Sequence, residues 1–252
     1  NTNPNGLDTL RQDMVKASAP GKCILFGEHA VVYGQPALAC SIDQRMIIEI
    51  EREKTFNAWR VDGRTLDAKK HPHIEYIRTR LPPHDGQPMH IRIRGTIPKA
   101  SGLGSSAALS VALCGALQQI RNEAIDPVHA SVLSHLAEAE AQGGRASPMD
   151  TATSSLGGFV VLSDAIEESL DYIETRTMDV NGETRQWHLH TFNAQIPEGV
   201  ALVVGNTGVR GSTSAMVDQV ARLIETSPKR KVELETIGAI ARRGIQSLQE
   251  GD

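Results

Sequence analysis

Six side chains of this sequence have the types and spacing to do acid, base and ion chemistry: Lys22, Glu28, His29, Glu138, Glu140 and Asp150. Lys22 follows Ala19-Pro20-Gly21 and leads into the apolar run Cys23-Ile24-Leu25-Phe26, which Gly27-Glu28-His29 closes. A lysine so placed can neutralise a developing anion, and a carboxylate beside an imidazole can bind the hydroxyl and carboxylate groups of a small polar substrate. The plainer uses are a surface cation and a satisfied hydrogen bonder. Farther along, Glu138-Ala139-Glu140 stands near a helix end, and Asp150 follows Ser147-Pro148-Met149 after a Gly143-Gly144 turn. Two different carboxylates supply a hard oxygen ligand for Mg2+ and a group that accepts or orients a hydroxyl proton. Helical geometry points Glu138 and Glu140 in different directions, so one of them faces such a site. A solvated helix face is the competing use of either glutamate, as capping or turn formation is for Asp150.

A second kind of chemistry is written into Pro98-Lys99-Ala100-Ser101-Gly102-Leu103-Gly104-Ser105-Ser106-Ala107-Ala108, which runs from a strand into a long apolar helix. Gly102 and Gly104 can take positive φ and bring backbone N–H groups close to an anion, with Ser105 and Ser106 at the N-cap. The helix behind them aims its positive end at the ligand. The run is neither the Walker pattern nor the dinucleotide fingerprint, since Gly-Lys-Ser/Thr and G-x-G-x-x-G are both missing. Gly205-Asn206-Thr207-Gly208-Val209-Arg210-Gly211-Ser212-Thr213 is a weaker case of the same design, lining a pocket or capping a helix.

These residues need a sheet and helices to position them. Strands are expected at Val15–Ala19, Cys23–Phe26, Ala37–Ile50 and Met89–Arg94, in a mainly antiparallel sheet. Helices are expected over Pro72–Leu81, from Ser106 to about Arg121, and from Pro127 to about Gln142 behind the cap Asp126. Then follow a strand at Gly157–Leu162, a hairpin of Asp171–Met178 with Gln186–Phe192, a buried strand at Val200–Val204, and helices over Ser212–Glu225 and from about Lys231. A boundary falls near Gln195–Gly199 and leaves a C-terminal piece too small to close its own core.

The chain of 252 residues carries a formal net charge of −4, so it has no basic surface to track a nucleic-acid backbone. Cys23, Cys40 and Cys114 are an odd number without metal-ligand spacing, which predicts reduced thiols and a cytoplasmic setting. No apolar run reaches the length of a membrane span. Met14 reads as a natural start, with residues 1–13 a disordered extension.

Together the four segments resemble the GHMP small-molecule kinases, and within them the mevalonate kinase branch. Pro98–Ala108 is similar to the family's phosphate-binding motif. Gly27-Glu28-His29-Ala30-Val31-Val32-Tyr33-Gly34 is similar to the branch's N-terminal motif, Ser147–Thr151 to the segment bearing the catalytic aspartate, and Asn206–Thr213 to a substrate-side loop. The resemblance implies an α+β GHMP-kinase fold: a ribosomal-S5-like, ATP-binding N-terminal domain over 14–195 and a partial ferredoxin-like C-terminal domain over 196–252. The family's third glycine-rich motif has no counterpart, so that second domain is expected to be incomplete and to expose an apolar face. The implied reaction is transfer of the ATP γ-phosphate to the 5-hydroxyl of mevalonate. Asp150 and Lys22 would be catalytic. Lys99, Ser101, Gly102, Leu103, Gly104, Ser105 and Ser106 would hold the ATP phosphates, and Ser106 with Glu140, preferred over Glu138, the Mg2+. Lys22, Glu28, His29, Asp150 and Thr213 would bind mevalonate. ATP and mevalonate are the expected partners, without nucleic acid or membrane and with room for a homodimer. The alternatives are another small-alcohol kinase, for phosphomevalonate or a sugar, and a nucleotide-binding fragment without turnover.

Overall fold

The computed structural model describes residues 14–251 except 99–100, 145, 181–182, 195, 197 and 206–212; for 180, 183, 213–215, 217–218, 228 and 231 it describes the backbone alone. The described strands form one mixed sheet. The first two strands are its spine: β1 (Met14–Phe26) runs antiparallel to β2 (Ala37–Arg52), with Ala17 opposite Ile48 and Cys23 opposite Cys40. The sequence suggests two short strands for β1, and the structure makes one, with a register shift between Pro20 and Lys22. Gly21 sits at that irregularity because a Cβ there would lie 2.7 Å from the Leu103 carbonyl oxygen.

On the side of β2 away from β1, two strands follow one another. β5 (Met89–Gly95) pairs with Met46–Arg52, and β6 (Phe159–Ser163) pairs with Ala37–Cys40. The short hairpin β3 (Arg60–Val61) and β4 (Arg64–Thr65) extends the sheet beyond β5 through a parallel pairing. The hairpin β7 (Asp171–Val180) and β8 (Glu183–Phe192) extends it beyond β6, where the sequence suggests a hairpin of Asp171–Met178 with Gln186–Phe192.

Helices cover one face. They are α1 (Pro72–Arg80), α2 (Ser105–Ile120), α3 (Pro127–Ala141) and α4 (Met149–Leu156). Strand alternation fixes what they cover: Ile48 and Ile50 point at Leu113 and Leu117 in the main core, whereas Glu49 and Glu51 face outward and pair with Lys16 and Arg92. The far end of β2 is buried on both faces. Ala37 and Ala39 meet Met149, Val160, Leu162 and Leu189 on the α4 side, while Leu38 meets Val161, Phe192 and Ile245 on the other. That two-sided burial explains the unbroken apolar run Ala37–Cys40. Ile245 belongs to α6 (Pro228–Glu250), which follows α5 (Thr213–Thr226).

Two expectations are corrected. Asp150, read as lying in a turn before a strand, stands in the helix α4, two of whose hydroxyls bond back along it: Thr153 to the Met149 carbonyl at 2.8 Å and Thr151 to that of Pro148 at 3.2 Å. Val200–Val204, read as a buried strand, is exposed irregular chain with Val203 88% accessible. An apolar run becomes a strand only beside a partner, and no described strand pairs with this one. Apolar side chains of the last two helices are exposed as well, among them Met216, Leu223 and Val232. The three thiols are free, and among the described residues no helix is long and apolar enough to cross a membrane.

Leu117, fully buried, and Val203 test this division. Leu117→Ala should cost about 2–5 kcal/mol in guanidinium unfolding, and Val203→Ser less than about 0.5 kcal/mol. Equal losses would put the 200–204 run into packed core.

Candidate active site

The irregularity in β1 turns Lys22 toward the helical face, where its backbone N–H donates to the Leu103 carbonyl at 3.0 Å. The strand carrying the lysine is thereby tied to the glycine loop. Gly102 and Gly104 both have positive φ, 75° and 71°. At Gly104 the need is steric too, because a Cβ would lie 2.9 Å from Lys22 Cγ, whereas at Gly102 it would meet open space. Gly104, rather than Ser105 or Ser106, is the N-cap of α2; Ser105 is the first helical residue. The first helical bond runs from Ala108 N–H to the Gly104 carbonyl, so the N–H groups of residues 105–107 precede the ladder. The Ser101 hydroxyl donates to the Pro98 carbonyl at 2.8 Å, bracing the loop.

The Lys22 side chain is nearly inaccessible, and its Nζ lies 3.0 Å from Asp150 Oδ1. Asp150 reaches it from the first turn of α4. A cleft of about 110 Å³ beside this pair is lined by Lys22, Ile24, Glu28, His29, Glu138 and Asp150 among others. Glu28 is exposed and His29 half-buried. His29 has a φ of 61°, unusual for a side-chain-bearing residue, and it leads into the 3₁₀ turn Ala30–Tyr33.

The structure sets the two acids of α3 apart. Glu138 is buried and accepts a hydrogen bond from the Ser106 hydroxyl at 2.8 Å, whereas the preferred Glu140 is exposed. The exposed stripe of α3 runs through His129, Leu136 and Glu140 at helical spacing. The apolar Leu136 in that stripe conceals which face is wet. Burial first, and then the charge of Asp150, push the Glu138 carboxyl up to about 8, against the Ser106 bond and Lys22.

Ser106, Glu138 and Asp150 thus present hydroxyl and carboxylate oxygens of the hard type that Mg2+ takes. Among the described residues no group of three or more His, Cys, Asp and Glu could hold a metal alone. Such a donor set suits an ion that takes its remaining ligands from phosphate and water. Lys99 and residues 206–212 lie outside the described residues, as does the side chain of Thr213.

Comparison with known proteins places the chain in a family. Residues 70–158 match the family model of the GHMP kinases N terminal domain. The mevalonate kinase of Methanothermobacter thermautotrophicus is 39% identical over 177 residues, covering 67% of this chain and 58% of that protein. The mevalonate kinase of Pyrococcus furiosus is 31% identical over 254 residues, covering 91% and 68%. The crystal structure of L. major mevalonate kinase with R-mevalonate superposes with a TM-score of 0.64 at 20% identity, covering 94% of this chain and 70% of that one. This chain belongs to the GHMP kinase family. It spans 58% to 68% of the length of the two curated relatives.

The raised Glu138 carboxyl makes a signed prediction. A folded-state value above the unfolded 4.5 stabilises the fold fully below that value, and the contribution is lost as pH rises toward 8. Glu138→Gln, permanently neutral and able to keep an oxygen for Ser106, should therefore melt higher than the parent at pH 8, by on the order of 2 kcal/mol. The difference should shrink toward zero at pH 5 in paired thermal unfolding; a constant difference contradicts the assignment.

Proposed function

We propose that this chain is an ATP-dependent phosphotransferase whose acceptor is the 5-hydroxyl of mevalonate. The reading rests on one observation above the others: the 3.0 Å contact of Lys22 Nζ with Asp150 Oδ1 beside a cleft that Glu28 and His29 also line. The choice of acceptor draws support from the Gly27–Gly34 run and from the relatives named mevalonate kinase.

In this reading the ATP phosphates lie against the Gly102–Gly104 backbone, Ser105 and Ser106 at the N-terminus of α2, where unpaired N–H groups and the helix dipole favour anions. Glu28 and His29 hold the acceptor, and Thr213 is proposed to join them. Asp150 orients the acceptor hydroxyl and takes its proton. The hydroxyl oxygen bonds to the γ-phosphorus as the bond from that phosphorus to the bridging oxygen breaks, and ADP departs with the electron pair. Lys22 faces the charge that develops on the acceptor oxygen and the transferred group. Ser106 and Glu138 would hold Mg2+, which when bound with the nucleotide supplies neutralisation of phosphate charge. A cation there would also offset the Asp150 charge, which adds to the effect of burial on Glu138.

A second reading, nucleotide binding without turnover, is favoured by the exposed apolar residues of the 200–204 run and α5. ADP release separates the two. With mevalonate and Mg2+ the parent should release ADP and stop when EDTA is added. Asp150→Ala should lose about 100- to 10,000-fold of that rate with ATP affinity changed only a few-fold. ATP binding by a parent that releases no ADP supports the second reading, and undiminished turnover of the variant removes Asp150 from its role.

A further inference from the structure

Two buried aromatic side chains outside the cleft each hold one of its lips. His135 on α3 is fully buried, and its ring nitrogen Nε2 lies 3.0 Å from the Ala146 carbonyl oxygen. A carbonyl only accepts, so Nε2 carries the proton and donates. Burial holds the ring well below its ordinary value, at about 4, and so neutral near pH 7. Trp187 on β8 is 3% exposed and meets the His135 ring edge-on, with centroids 6.0 Å apart and planes at 85°. Its indole N–H donates to the Val31 carbonyl at 3.1 Å.

Val31 and Ala146 both line the cleft. Val31 follows Glu28 and His29 in the 3₁₀ turn, and Ala146 precedes Ser147-Pro148-Met149-Asp150. Neither lip is held by a strand or a long helix. One passes through positive φ at Gly27 and His29, the other at Gly143 and Gly144. Such segments keep their shape only when packed surroundings determine it. The His135–Trp187 pair joins them through side chains on two different elements.

We propose that His135 and Trp187 are positioning residues, a buried brace that sets the spacing between the Glu28–His29 lip and the Asp150 lip. The inference rests on the phosphotransferase reading for its kinetic consequence, but not for its structural one. Each arm governs one lip. The His135 arm fixes Asp150 against the acceptor hydroxyl and therefore acts on kcat. The Trp187 arm fixes Glu28 and His29 and therefore acts on the KM of the acceptor. Neither arm touches the glycine loop, so ATP affinity is spared.

The test compares His135→Leu, which removes the donor at similar bulk, with His135→Gln, whose amide can still donate to Ala146, and Trp187→Phe, which keeps a ring without the N–H. His135→Leu should lower kcat by about 100-fold, the scale of a misplacement near 1 Å, with the ATP Kd within about 3-fold. His135→Gln should recover most of the loss. Trp187→Phe should raise the mevalonate KM by about 10-fold and leave kcat within a few-fold, as expected when binding alone is weakened. Amide hydrogen exchange supplies the readout that needs no substrate: faster exchange confined to residues 146–150 in His135→Leu and to 28–33 in Trp187→Phe. Exchange that rises across the whole sheet, or does not change at either lip, overturns the brace. So do parallel losses of kcat and ATP affinity that His135→Gln fails to rescue. Absence of ADP release in the parent overturns the phosphotransferase reading instead, and the exchange pattern then decides the brace.

Discussion

A lysine ammonium with almost no access to water is the constraint on which the arrangement depends. An unpaired charge in that position costs several kcal/mol, so the fold has to deliver a counter-charge to it. Asp150 is delivered by the first turn of α4 at 3.0 Å, and Glu138 stands close enough to feel both. Much of the local architecture serves this meeting. The β1 irregularity turns Lys22 inward, Gly21 lets the glycine loop approach, and Gly104 leaves room for the lysine stem. The same contacts place the uncapped N-terminus of a well-buried helix beside the pair. The structural requirement and the proposed chemistry therefore share their residues.

The charge balance is deliberately incomplete in the protein alone. Two carboxylates face one ammonium, and the deeper carboxyl holds its proton more tightly, first because it is buried and then because Asp150 stands beside it. A buried carboxyl held above its ordinary range costs stability that a bound cation would offset, a familiar exchange at functional sites. His29, held at positive φ on the other lip, is a second local cost of the same kind.

Much of this was legible in the sequence because it is local. Gly102 and Gly104 before small hydroxyls and an apolar helix, Asp126 before Pro127, and the alternation over Met89–Arg94 each carry their signal locally. Asp126 does cap its helix, accepting from the His129 N–H at 3.0 Å. The resemblance brought Lys22, Glu28, His29 and Asp150 together, and geometry put them around one cleft. What was not legible depends on partners distant in sequence. The hydroxyls of α4 look like loop residues until their backbone acceptors are seen. Glu138 and Glu140 differ only in the face they occupy. The Val200–Val204 run carries every mark of a strand except a neighbour. The His135–Trp187 contact joins a helix to a distant strand, and neither residue stands in a motif.

The most direct measurement is a double-mutant cycle on kcat/KM with Lys22→Met, Asp150→Asn and the pair together. If the two side chains act as one unit on the acceptor hydroxyl, the double variant should be about as slow as the slower single variant, with a coupling of several kcal/mol. Losses that simply multiply would mean that the two groups work independently, and that the contact on which the rest is built is a structural ion pair alone.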